Sequence, residues 1–241
     1  MNEKYTDSDI RLSGKLYEKF DNFWFYHKWH VIAAVFVVFV LTVCIAQSCS
    51  REVHDLDVLY AGPRAYTAGE RETAGNALRD LASAGLSERK TVGLVTYNVM
   101  SKEQIQELKD RVEEYNDAEI KDLIVDTSYY TSEQELYSSA LMTGHYAVLL
   151  VDEWLYEKLA SDEGRLRKLS DVFVTVPDSA IDEYGIRFSE TAFYKNNELF
   201  GDLPETTVLC LLSPYVIGST SKGTSYAQMV DLFVKMAADA S

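Results

Sequence analysis

The longest apolar run in the chain, VIAAVFVVFVLTVCIA from Val31 to Ala46, holds sixteen residues without a charge. With Trp29–His30 before it and Gln47–Ser48 after it, the run reaches about 20 residues, or roughly 30 Å of helix, the thickness of a hydrocarbon core. A buried core helix of this length keeps a polar stripe, and this one has none. Residues 30–48 are therefore expected to be a transmembrane helix. Upstream, Leu12, Leu16, Phe20, Phe23 and Trp24 recur at spacings of three and four, which predicts an amphipathic helix along the membrane surface. Phe23-Trp24-Phe25-Tyr26-His27-Lys28-Trp29 has the make-up of an interfacial aromatic belt.

Downstream the period changes. Leu56–Ala61 reads as a strand closed by Gly62-Pro63, and Thr67-Ala68-Gly69-Glu70 as a capping box opening a helix with Ala74, Leu78, Leu81 and Ala82 on one face. Thr91–Tyr97 is the second expected strand. Ser101-x-x-Gln104 opens the next helix, with a stripe of Ile105, Leu108, Val112 and Tyr115. Ile120–Val125 is the third expected strand, and Ser132-x-x-Glu135 the next helix start. Tyr146–Val151 is almost wholly apolar, as strands covered on both faces are. A helix with Trp154, Leu155 and Leu159 follows it. After Leu169 the alternation stops. Asp178–Tyr184 reads as a short helix, Gly185–Tyr194 and Thr207–Leu212 as added antiparallel strands, and Ser225-x-x-Gln228 as the start of a last helix lined by Met229, Leu232, Phe233 and Met236. The expected fold is α/β: a mainly parallel sheet flanked by helices with added antiparallel strands, plus one N-terminal transmembrane helix. The expected divisions are a cytoplasmic juxtamembrane segment, 1–29, the span, 30–48, and an extracytoplasmic domain, 49–241.

Charge sets the orientation. Residues 11–29 carry Arg11, Lys15, Lys19 and Lys28, against Arg51 and Arg64 over 50–69, which places the N-terminus in the cytoplasm. Thirty mixed-charge residues ahead of the apolar run fit an uncleaved signal anchor better than a signal peptide, although Ala46-Gln47-Ser48-Cys49 leaves processing or lipidation at Cys49 open. The net charge is −15, and residues 1–29 balance five basic against five acidic groups, so the acid excess belongs to the part beyond the membrane. That excess argues against nucleic acid as a partner.

The run Gly144-His145-Tyr146-Ala147-Val148-Leu149-Leu150-Val151-Asp152, the turn Gly164-x-Leu166-x-x-Leu169, the Gly185-Ile186 strand and Leu203-Pro204-x-Thr206 resemble parts of bacterial type II extracellular solute-binding proteins, over residues 55–240. The aromatic belt before a single span also resembles membrane-anchored bacterial proteins that carry such a domain. The resemblance implies an extracytoplasmic, periplasmic-binding-like domain, and the chain has room for one lobe. It carries over no ligand residue.

Catalytic patterns are thin. Ser87-Glu88-Arg89-Lys90 matches S-x-x-K, but it sits in a polar turn rather than at a helix start, and Lys222-Gly223-Thr224 is a scrambled K-T-G whose order is not met. No metal-binding or nucleotide motif occurs, so no cofactor is expected. Gly218–Ser225 reads as a connection and helix cap. In open α/β sheets ligands bind beyond the carboxyl ends of the strands. Those ends supply Arg64, Tyr97, Asn98, Asp126, Tyr129, Asp152 and Trp154, aromatic faces and hydrogen-bonding groups suited to a small polar ligand. The expected function is a non-enzymatic, membrane-tethered binding domain. The alternative is an accessory subunit of a cell-envelope complex acting through protein contacts.

Overall fold

The computed structural model describes residues 27–43, 54–84, 90–119, 122–143, 145–214 and 226–238. The chain falls into two units, Met1–Val53 and His54–Ser241.

In the first unit, residues 27–43 form helix α1, about 26 Å long. Its large apolar side chains are exposed all round, Trp29 at 73%, Phe36 at 64% and Phe39 at 64% among them. Among the described residues no helix is long and apolar enough to cross a membrane. The expected span, 30–48, runs on past Val43 into residues 44–48, which lie outside the described ones, as do residues 1–26 with the expected amphipathic segment.

The second unit is an α/β fold. Its strands are β1 (Leu56–Gly62), β2 (Val92–Asn98), β3 (Val148–Val151), β4 (Gly185–Arg187) and β5 (Val208–Leu211). Its helices are α2 (Ala68–Ser83), α3 (Lys102–Glu119), α4 (Thr127–Thr143), α5 (Glu153–Ala160), α6 (Ala192–Lys195) and α7 (Tyr226–Met236). The sheet order is β2-β1-β3-β5-β4. β1 pairs in parallel with β2 and β3, while β5 pairs antiparallel with both β3 and β4.

Alternation along the strands splits the core in two. Leu56, Val58 and Tyr60 of β1 join Val148, Leu150, Leu209 and Leu211 on one face, under α2 and α7. Leu59 and Ala61 join Leu149, Val151, Val208 and Cys210 on the other, under α4 and α5. On the first face, α2 comes close to the sheet because residue 75 is glycine: a Cβ there would stand 3.0 Å from the Val92 carbonyl oxygen. The Thr67/Glu70 capping box is formed, with Glu70 N–H donating to Thr67 Oγ1 at 3.3 Å and Thr67 N–H to Glu70 Oε2 at 2.7 Å.

Several expectations are corrected. No strand forms over the described residues 122–126, where Leu123 and Ile124 are 53% and 90% exposed. The Asn116 side chain takes both backbone groups of Leu123, accepting from its N–H at 3.0 Å and donating to its carbonyl at 2.8 Å, groups that a strand would need for its ladder. Helix α4 starts at Thr127, five residues before Ser132, because Asp126 caps it by accepting from Ser128 N–H at 2.9 Å. Residues 178–184 are turns and bends rather than a helix. The strand expected over Gly185–Tyr194 stops at Arg187, giving way to a 3₁₀ turn, Phe188–Glu190, and to α6. Ser87, Lys222–Thr224 and Ser225 lie outside the described residues.

Candidate functional site

The chain leaves β1 toward β2 on one side and later adds β3 on the other, so the order of the sheet reverses between β1 and β3. That switch point is where open α/β sheets leave a crevice. Helix α2, entered after β1, packs on one face, and α5, entered after β3, on the other.

Register lines up one residue from each of four neighbouring strand ends at this switch point. Gly62 pairs with Asn98, and Ala61 with Val151, so Asp152 continues the ladder beside Gly62; its N–H donates to the Ala61 carbonyl at 2.9 Å. Val151 pairs with Val208, which sets Thr207 beside Asp152. Asn98, Gly62, Asp152 and Thr207 thus form a row across four strands, about 4.8 Å apart and pointing to one face.

The row is polar and sunk into the protein. Asp152 is 5% exposed and Thr207 1%. Asn98 Oδ1 and Thr207 Oγ1 are buried atoms with no hydrogen-bond partner among the described residues. Asp152 accepts from Gln104 Nε2 at 3.1 Å and from Trp154 N–H at 3.4 Å. Burial pushes its carboxyl above the usual range, and the Gln104 hydrogen bond opposes that shift. The centre of the row is filled by Tyr60, which is why residue 62 is glycine: a Cβ there would meet the Tyr60 hydroxyl at 2.6 Å. That hydroxyl accepts from Arg64 N–H at 3.1 Å, and burial, with the nearby Tyr66 and Asp152, raises its pKa. The Tyr66 hydroxyl, pushed up to about 12 chiefly by burial, is a third buried oxygen without a hydrogen-bond partner among the described residues.

The seven expected site residues fare differently. Asn98 and Asp152 belong to the row. Trp154 stands two residues beyond it, half-buried, with Lys158 Nζ 4.2 Å from its ring centroid and its Nε1 buried without a hydrogen-bond partner among the described residues. Arg64 is a structural clamp. Its side chain, 11% exposed, donates to the Leu199 carbonyl at 3.0 Å, pairs with Glu70 at 3.3 Å and Asp202 at 3.2 Å, and lies over the Tyr66 ring. Tyr97 points to the opposite face, its ring edge-on to Tyr137 at 6.2 Å. Asp126 and Tyr129 are not at a strand end at all: Asp126 caps α4, and Tyr129 lies on its first turn against Tyr130, at 5.2 Å.

Sequence reasoning missed Thr207, Tyr66 and the role of Gln104. Only the Ser101/Gln104 capping signal pointed at the last, and its reciprocal bonds are present at 2.8 and 3.2 Å.

The charged groups flanking the row are already paired. Glu153 holds Arg187 at 2.9 Å, and Arg187 also donates to the Thr206 carbonyl. Among the described residues no group of His, Cys, Asp and Glu could hold a metal ion. The row therefore offers one carboxylate and hydrogen-bonding oxygens. A separate hollow of about 300 Å³ lies elsewhere, lined by Leu141, Met142 and Asp162–Arg165. Comparison with family models, with curated proteins and with solved structures finds no match for this chain.

Proposed function

We propose that the protein is a single-pass, membrane-anchored binding protein, with its N-terminus in the cytoplasm and its α/β unit outside the membrane. The anchor is residues 30–48. Helix α1 supports that part of the reading, because an apolar surface exposed all round must be covered by lipid or protein. The α/β unit takes a small polar ligand at the β1–β3 switch point, without chemistry, as the resemblance to one solute-binding lobe implies. The observation that carries this is the row: buried oxygens on Asn98 and Thr207, unpartnered among the described residues, on either side of a buried acid. Leaving such atoms empty costs about 1–3 kcal/mol each, so a polar guest is the natural occupant.

The test is thermal unfolding of the full chain in detergent against sugars, amino acids and polyamines. A ligand at 100 times its dissociation constant should stabilise the fold by about 2.7 kcal/mol, and Thr207→Val should abolish that gain. If no compound shifts the transition, the row holds only water and the reading falls.

A second reading, the accessory subunit, is favoured by one observation. None of the described side chains of α3 is buried, and its apolar stripe belongs to neither core.

A further inference from the structure

Along α3 the apolar residues Ile105, Leu108, Val112 and Tyr115 are spaced three, four and three apart, the a and d positions of two heptads. Ile105, Leu108 and Val112 are half-buried and Tyr115 is 44% exposed, and none of the four belongs to either core cluster. The charges are sorted about that seam. Lys102, Lys109 and Arg111 occupy the flanking e and g positions. Glu103, Glu107, Asp110, Glu113 and Glu114 all fall on the b, c and f positions, facing away. The three basic residues are exposed, and no ion pair among the described residues engages them. A chain of net charge −15 thus presents a basic-edged apolar seam on one helix.

We infer that this seam docks an amphipathic helix of another protein whose own a/d residues are apolar and whose flanks carry Glu or Asp. Charge complementarity selects that occupant: flanking pairs set partner choice in paired helices, and opposite potentials steer the encounter. A second copy of this chain fits poorly. It brings no acid to the flanks of the seam, and it carries the same net charge of −15. The inference gives the protein-contact reading a partner of stated chemistry and is independent of the crevice.

The test uses the full chain in detergent and two labelled helical peptides with the same Leu/Ile seam, one with Glu and one with Lys at every e and g position. The Glu peptide should bind at least about tenfold more tightly at low salt, with the preference shrinking as salt rises. Lys109→Glu with Arg111→Glu should reverse the preference, and Leu108→Asp should remove binding with the unfolding transition in place. Equal binding of both peptides that is lost in Leu108→Asp overturns the acidic partner while leaving a docking seam. Binding of neither peptide overturns the protein-contact reading as well. Leu108→Cys chains that crosslink to each other through the seam make the second copy the occupant, and also overturn the inference.

Discussion

Helices α7 and α3 have comparable sequence signals and opposite fates. Each carries an apolar stripe at helical spacing. In its 11 residues α7 buries Met229, Leu232, Phe233 and Met236 against the sheet, at 4% exposure or less. The 18 residues of α3 bury no described side chain. It is tied to the rest of the domain by Gln104, whose amide reaches Asp152 at the crevice. An isolated helix of this length is marginal in water, since most helical stability in proteins comes from packing. An apolar stripe reports a need for cover and leaves open where the cover comes from.

Truncating each stripe in the full chain and following denaturant unfolding should separate the two helices. Phe233→Ala should cost about 3–5 kcal/mol, because a fully buried ring leaves a cavity under the sheet. Arg64→Ala, which strips the Leu199 carbonyl and Asp202 of their donor, should cost about 1–3 kcal/mol whether or not ligand is present. That result would separate a clamp from a ligand contact. Gln104→Ala removes half of a capping box and the tie to Asp152. It should cost about 1 kcal/mol and speed amide exchange along α3 while α7 stays protected. Leu108→Ala should cost less than about 1 kcal/mol. An effect as large as that of Phe233→Ala would mean that the α3 seam is packed after all.

The smallest effect is in pH. Burial raises the Asp152 pKa, so over a window starting near the unfolded value of about 3.9 the folded chain holds a proton that the unfolded chain has released. This contribution is complete below that window and is lost as pH rises through the folded pKa. Gln104→Ala deletes the hydrogen bond that lowers the pKa, so the loss should move to higher pH. Urea midpoints measured against pH for the two proteins check the sign.

What local pattern could reveal was settled within single elements. The Thr67 box, the apolar β3 and the stripe of α7 each carry their own signal, and each stands close to where its residues place it. The strand expected at Ile120–Val125 failed because Asn116 claims the backbone of Leu123, a side-chain competition that hydrophobic alternation does not register. Asp126 was displaced from the site with it. Thr207 went unnoticed for a different reason. Its place beside Asp152 follows from antiparallel pairing between residues 151 and 208, and no local window contains both. The row is thus a product of register, while its acid, Asp152, was legible as the residue ending an apolar strand.

The order of strands has a consequence for the chain while it is being made. β3 lies between β1 and β5, yet β5 begins at Val208, 57 residues after β3 ends at Val151. At about 5–20 residues per second, synthesis leaves that edge without its neighbour for roughly 3–11 seconds. For that interval Val148, Leu149, Leu150 and Val151 form a wholly apolar strand with one hydrogen-bonding side open, a template for pairing with another nascent chain. Translation speed over residues 152–208 should therefore govern how much of this protein reaches its native sheet.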